Sequence, residues 1–345
     1  MGGEQSETSV LPDSRGIDGR SNPRSFHDPL SSRAAATLLA SAVGQSSCTF
    51  VTAGPRTYLP GISCVSKRLD ALDAKYPLLV MVEPEDLAYM SENVYARRGN
   101  RSIVLPWHAF PGSASNARNL GIRSARIMDK INLFGMPTSR LVWIDADMFL
   151  LENIDALCEL PDDIDLAAGF NAAGRPSYIW QTEGSRFNSR SKHCVWYYNM
   201  SVDRQNYTFM RPSEYAPSPS ECPYMLNTGL MVIRPLSLVA FNRYFVEPMR
   251  NLSIRSYDGT DQGIVNTLLY GTQKLWGDRY AVLHPRYNVV AKDRHDSERR
   301  WGGLMSIVLH YTGLSGRPWH HNYTSKSIWH TACLDAGYRW YPNGT

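Results

Sequence analysis

The chain has 345 residues, 43% apolar and 20% charged, a globular balance that excludes global disorder. Its net charge is +4 with no basic run longer than two residues, which excludes a nucleic-acid binder. No stretch approaches 18 consecutive apolar residues, so no transmembrane segment is expected.

Residues 1–46 read as a disordered or loosely structured tail. Residues 1–33 carry only five large apolar side chains (Val10, Leu11, Ile17, Phe26, Leu30) among Gly, Ser, Pro, Arg and acids. The alanine-rich run 34–43 starts too far from Met1 for an ordinary signal peptide. From Cys48 the pattern changes. Residues 48–53 form a β-rich run stopped by Gly54-Pro55, and 58–74 look helical. Pro77–Val82 and Leu141–Ile144 are continuous apolar runs, as expected of strands buried on both faces. The spacing predicts helices over 113–135, 154–160 (with Asn153 as cap), 236–249 and 260–270, and strands over 226–233 and 307–310. Strands alternating with helices imply an α/β domain over 47–320, with a mostly parallel central sheet flanked by helices. Residues 321–345 are expected to pack on it as an extension. No internal repeat is visible.

Residues 171–224 fit no period. They are rich in Tyr, Trp, Ser, Arg and Pro. So long a loop in a compact domain is read as functional, its aromatics suited to stacking on sugar faces as well as to filling a core.

The compartment is read two ways. Cys48, Cys64, Cys158, Cys194, Cys222 and Cys333 form no CxxC pair, and buried reduced thiols are the default for a chain of this length. With no signal peptide recognised, that favours the cytoplasm. The alternative is a secretory lumen. N-glycosylation sequons begin at Asn100, Asn199, Asn206, Asn251, Asn322 and Asn343, six where 18 asparagines give about two or three by chance. Met1–Ser6 also fits the loose myristoylation pattern.

Ligands of an open parallel sheet bind at the carboxyl ends of its strands. Asp145-Ala146-Asp147 stands at such an end, and two carboxylates two residues apart can share a hard divalent cation that binds a diphosphate. Asp163-Ile164-Asp165 repeats the spacing but precedes a strand, and is read as a solvated turn. Asn227 and Gly229 open the strand 226–233. Asp258, Thr260, Asp261 and Gln262 surround a helix start, where backbone N–H groups favour oxygen-rich ligands, though capping and turns explain the same residues. His310 ends an apolar strand. Beside an Asp-x-Asp pair it would complete a mixed O/N site suited to Mn²⁺. Gly313 and Gly316 allow close backbone approach, and Arg317 can clamp phosphate.

Taken in order, these pieces resemble glycosyltransferase family 8, in particular its glycogenin-like branch, over about residues 48–320. The resemblance rests on Phe50-Val51-Thr52, on Lys130, and on Leu141–Asp147 running on to Asn153-Ile154-Asp155. It continues with Leu226–Pro235, Asp258–Gly263, and His310-Tyr311-Thr312-Gly313 with Arg317-Pro318-Trp319. It implies a GT-A nucleotide-diphospho-sugar transferase fold, a UDP-sugar donor, Mn²⁺ (with Mg²⁺ as alternative) and retention at the anomeric carbon. By the family pattern Asp145, Asp147 and His310 are metal ligands. Thr52, Ala53, Lys130, Asp145, Ala146, Asp147, Gly313 and Arg317 form the nucleotide and diphosphate site. Asn227, Asp258, Asp261 and Gln262 line the donor sugar and reaction centre, with Asp261 as nucleophile or electrostatic stabiliser.

Three departures stand out. The family usually carries Lys where Arg317 stands. Val289–Arg300 contains no tyrosine, which argues against glycogenin-type self-glucosylation at the segment after Tyr287-Asn288. Residues 171–224 are longer than the matching glycogenin stretch, on the expected acceptor side. The implied activity is transfer of a hexose from a UDP-sugar, UDP-glucose first, to a glycan, polyol or protein hydroxyl. UDP-glucuronate and UDP-galactose are the enzyme alternatives. An inactive sugar-nucleotide or carbohydrate-binding protein is the alternative of another class. It would be expected to lose one of the two carboxylates or the histidine, and all three are present. A homodimer is left open.

Overall fold

Runs of buried apolar residues form the centre of the molecule. The structure, a computed structural model, describes residues 46–96, 102–106, 125–170, 181–182, 185–186, 207–211, 226–254, 256, 260–270, 273–291, 294–300, 303–312, 317–319 and 328–333. Strands β1 (Thr49–Ala53), β2 (Leu78–Val82), β3 (Ser102–Pro106) and β4 (Leu141–Ile144) pair in parallel in the order β3-β2-β1-β4. The sheet continues through β10 (Leu226–Ile233), β6 (Leu166–Phe170), β11 (Tyr280–Leu283) and β9 (Phe209–Met210). Only β10 and β9 run against the rest. A single reversed strand between β4 and β6 has a geometric effect: its first residues lie at the edge where its neighbours end. Asn227–Gly229 are thereby delivered beside Asp145, whose N–H donates to the Gly229 carbonyl at 2.8 Å.

Both faces of the sheet are covered. Phe50, Val80 and Val142 face one core with helices α1 (Leu59–Ala71) and α2 (Leu87–Asn93). The alternate residues Val51, Leu79, Leu141 and Trp143 face a second core with the 3₁₀ segment Ala125–Gly135 and the later helices. This two-sided burial is why β2 and β4 read as continuous apolar runs rather than as alternation. Each fully buried Leu, Ile or Phe contributes about 1.5–3 kcal/mol of apolar transfer.

A second sheet has three strands, β12 (Val289–Val290), β13 (Val308–His310) and β5 (Met148–Leu150). The first core joins it to the main sheet. A two-stranded ribbon, β7 (Gln181–Thr182) with β8 (Ser185–Arg186), lies within the long aromatic segment, most of which, like residues 1–45, is outside the described residues.

Several expectations are corrected. The described part of the 113–135 helix is a 3₁₀ segment. Its buried residues Ile131 and Phe134 lie three apart, which suits three residues per turn. Residues 154–160 hold only a 3₁₀ turn, Asp155–Leu157, in which the Leu157, Cys158 and Glu159 N–H groups donate to carbonyls three residues back, and the Cys158 and Leu160 carbonyls beyond it accept from buried Arg140. The 236–249 helix is α3 (Leu238–Phe241), a π turn (Asn242–Val246) and α4 (Glu247–Arg250). Pro248 has no N–H to continue the ladder, and the π turn absorbs the break. Ser237 caps the start by accepting from the Ala240 N–H at 3.2 Å.

The reduced-thiol expectation is overturned. Cys48 is bonded to Cys158 and Cys64 to Cys333, across sequence separations of 110 and 269. Sequence spacing held no sign of pairs this distant. Cys333 ends α7 (Ile328–Cys333), whose Trp329 is fully buried. The second Asp-x-Asp is a turn, but an ion-paired one: Asp163 meets Arg211 at 2.6 Å and Asp165 meets Arg279 at 2.7 Å. The homodimer left open by the sequence gains no support.

Candidate active site

The site forms where β4 hands over to β5. After Ile144 the chain turns tightly, with the Met148 N–H donating to the Asp145 carbonyl at 3.0 Å, and enters the small sheet. There Met148 pairs with His310, and the Tyr311 N–H donates to the Asp147 carbonyl at 3.0 Å. This register, not sequence proximity, places His310 against Asp147, its Nε2 lying 3.5 Å from Asp147 Oδ1. One ligand atom each from Asp145, Asp147 and His310 fall within 4.8 Å of one another.

The histidine is held from behind. Its Nδ1 lies 2.9 Å from Asn288 Oδ1, at the entrance to β12. An amide oxygen can only accept, so the ring donates from Nδ1 and keeps the Nε2 lone pair toward the carboxylates. Two glycines make room for the pair. A Cβ at Gly229 would fall 2.7 Å from His310 Cε1, and one at Gly169 would fall 2.7 Å from Asn288 Cβ.

Two cations partly offset the acids. Lys130 Nζ lies 2.9 Å from Asp145 Oδ1, 3.2 Å from Asp261 Oδ2 and 3.1 Å from the Thr228 carbonyl, three acceptors for three ammonium protons. Burial works to lower its pKa, but the carboxylates of Asp145 and Asp261 outweigh it and hold the ammonium above the usual lysine range. Lys130 also sits 5.1 Å from the centre of the Trp143 ring, whose Nε1 donates to Asp145 Oδ1 at 2.7 Å. Arg317 pairs with Asp147 Oδ2 and donates to the Tyr58 hydroxyl at 2.6 Å, while Trp319 packs edge-on against Tyr58. Burial would raise the Asp147 pKa. The contact with His310 and the charges of Arg317 and Lys130 prevail and hold it below the usual carboxylate range. For Asp261 burial prevails over Lys130 and pushes the carboxyl up.

Asp261 begins α5 (Asp261–Tyr270), which is tied to β10 by one amide. Fully buried Asn266 accepts from the Leu226 N–H and donates to the Leu226 carbonyl, both at 2.8 Å, and donates to the Gln262 carbonyl at 2.8 Å. Leu226 precedes Asn227, so this clamp fixes the strand carrying Asn227 against the helix carrying Asp261 and Gln262.

The structure thus brings together Lys130, Asp145, Asp147, Asp261, His310 and Arg317. Asn227 closes a local turn, its Oδ1 accepting from the Gly229 N–H at 2.9 Å. Ala146 is buried. Thr52 is buried in β1, and Ala53 stands at that strand's carboxyl end, level with Asp145 by the pairing of Val51 with Trp143. Asp258 and Gly313 lie outside the described residues. Sequence reasoning missed Tyr58, Trp143, Asn266 and Asn288 as site residues. Tyr58 had one available signal, its place just past the carboxyl end of β1.

The donor set of two carboxylates and one imidazole fits a divalent cation such as Mn²⁺, with coordination positions left over for substrate oxygens. Fold and site together define a nucleotide-sugar transferase of the GT-A class. The chain overlays LgtC, solved as an active-site mutant, with a TM-score of 0.52 at 16% identity, over 82% of this chain and 93% of that one. It overlays the galactosyltransferase LgtC in complex with donor and acceptor sugar analogs with a TM-score of 0.51 at 15% identity, over 83% and 95% of the two chains. The bifunctional glycosyltransferase WbbM gives 0.55 at 15% identity, over 81% of this chain and 48% of that one. The family model for glycosyl transferase family 8 matches residues 129–323, and the chain belongs to that family and is a glycosyltransferase. Galactinol synthase 1 of Solanum lycopersicum is 31% identical over 131 residues, which span 36% of this chain and 40% of that protein. Among the described residues, no helix is long and apolar enough to cross a membrane.

Proposed function

We propose that this chain is a metal-dependent, retaining hexosyltransferase that uses a UDP-sugar, UDP-glucose first, and delivers the sugar to a hydroxyl of a glycan, polyol or protein. The observation that carries this reading is the convergence of Asp145, Asp147 and His310 at the end of β4, flanked by Lys130 and Arg317. In it the two aspartates and His310 Nε2 hold the cation, with Mn²⁺ preferred and Mg²⁺ as alternative. When bound, that cation supplies Lewis-acid stabilisation of a diphosphate leaving group.

The chain's own residues do the rest. Breaking the sugar–phosphate bond moves negative charge onto the diphosphate, and Arg317 and Lys130 stabilise that charge most in the transition state. Arg317 presents a fork of N–H donors where most of the family offers a point charge. The sugar gains oxocarbenium character, which carboxylates favour. Asp261, beside Lys130, is the candidate nucleophile or electrostatic stabiliser. Asn227, Gln262 and Asp258 are assigned to the donor sugar, and Thr52, Ala53, Ala146 and Gly313 to the nucleotide. UDP-galactose is the second reading of the donor, favoured by the galactinol synthase relative. The two disulfides and the six sequons together support an oxidising secretory lumen as the place of action.

The test is UDP release from a panel of UDP-sugars with Mn²⁺ or with EDTA, comparing wild type with Asp147→Asn. Mn²⁺-stimulated release that the substitution abolishes is expected, and the donor turned over best names the sugar. Release insensitive to both EDTA and Asp147→Asn would refute the assignment.

A further inference from the structure

Of the six sequon asparagines, Asn251 is the one among the described residues. It follows α4 as the residue that ends the helix, its N–H donating to the Glu247 carbonyl at 3.0 Å. The chain then reverses sharply. Leu252 takes a positive φ of 62° and packs its side chain on the second core, and the Ser253 N–H donates to Asn251 Oδ1 at 3.0 Å. The middle residue is thus anchored inward, while Asn251 and Ser253, the two residues a glycosylation enzyme reads, are exposed. Ser253 Oγ reaches the Pro248 carbonyl at 3.4 Å, a long contact at the surface.

Exposure alone would leave the sequon a pattern. The second observation is covalent: disulfides join Cys48 to Cys158 and Cys64 to Cys333, and such bonds form and persist in the compartments where sequons are modified. We propose that Asn251 is an N-glycosylation site, occupied by an oligosaccharide that the cell adds to this glycosyltransferase. The proposal rests on the lumenal placement above and not on the transferase chemistry.

The donor class is a lipid-diphosphate-linked oligosaccharide. Asn251 Nδ2 forms a bond to the sugar's anomeric carbon, and the bond from that carbon to the phosphate oxygen breaks. The lipid diphosphate leaves with the electron pair, and one amide proton passes to base. No oxidant is needed. In the folded chain the attached glycan projects from the end of α4 into solvent and displaces no packed side chain.

The test uses the full chain isolated from its native host. Peptides spanning Asn251 are released, treated with peptide N-glycosidase in heavy-oxygen water, and read by mass spectrometry, with the Cys48–Cys158 linkage mapped in the same digest. Asn251 is expected as heavy-labelled Asp. The label should be lost in Ser253→Ala and retained in Ser253→Thr, which restores the sequon with the same hydroxyl. An unlabelled Asn251 in protein with the disulfide formed overturns the site alone. An unlabelled Asn251 with Cys48 reduced overturns the lumenal placement and the site with it. A label that survives Ser253→Ala reports deamidation and also overturns the site.

Discussion

The Asn266 clamp gives the most quantitative prediction. Asn266→Ala removes a fully buried amide that satisfies both backbone groups of Leu226 and donates to the Gln262 carbonyl. Leu226 is itself fully buried, so no water replaces the lost partners. Leaving a buried backbone donor or acceptor unpaired costs about 1–3 kcal/mol. Two such groups, with some relaxation into the vacated space, give a loss of about 2–4 kcal/mol. That is a large share of the roughly 5–15 kcal/mol typical of a folded domain, about 1 M in urea midpoint. The assay is urea unfolding followed by tryptophan fluorescence and circular dichroism. The same substitution frees the strand start carrying Asn227 from the helix carrying Asp261, so kcat for UDP release should fall even well below the unfolding transition. A midpoint change worth less than about 0.5 kcal/mol, the range of an ordinary surface substitution, would refute the claim that this amide bridges strand and helix.

Asn288→Ala should lower Mn²⁺ affinity by about 10- to 100-fold, the usual cost of losing the group that orients a ligating histidine. Titration followed by electron paramagnetic resonance reads this directly; Asn288→Asp keeps an acceptor for Nδ1 and should recover most of the affinity, whereas equal affinity in the Ala variant would sink the positioning role. Glu298, in α6 (Arg294–Arg300), accepts from Arg294 at 2.8 Å and from the Ser306 N–H at 3.0 Å. Burial opposes its charge, but these hydrogen bonds prevail and hold its carboxyl below the usual glutamate value. A depressed carboxylate pKa contributes stability that is complete above the unfolded-state pKa, about 4.3, and is lost as pH falls through the lower folded value. Glu298→Gln should therefore lose stability at about pH 7 but approach wild type in acid; parallel pH–stability curves would count against it.

Legibility from sequence followed how local each cause was. β2 and β4 were readable because burial on both faces writes an unbroken apolar run. β5, only Met148–Leu150, escaped because its pairing depends on β13, about 160 residues later. The turn at 155–157 escaped because its N–H groups bond three residues back rather than four, a difference that a short apolar pattern does not encode. In the site, Asp145, Asp147 and His310 were legible as polar residues ending apolar strands, and their order along the chain carried the family resemblance. Asn288 was not, since it matters only through a contact made across the fold, 22 residues distant in sequence, and for Tyr58 only its place past β1 was readable, not its contact with Arg317, 259 residues away. The disulfides were hidden for the same reason.

The charges gathered at the end of β4 do not cancel. Asp145, Asp147 and Asp261 face Lys130 and Arg317, three formal negatives against two positives with His310 neutral, a net of −1. A pocket of that sign repels a nucleoside diphosphate. One divalent cation reverses it to +1 and makes the same pocket attractive. Donor and cation are then thermodynamically linked, each raising the other's affinity by the same factor. Under the proposed metal dependence, the amount of free cation in the surrounding compartment would therefore act as a gain control on how much sugar nucleotide the site holds.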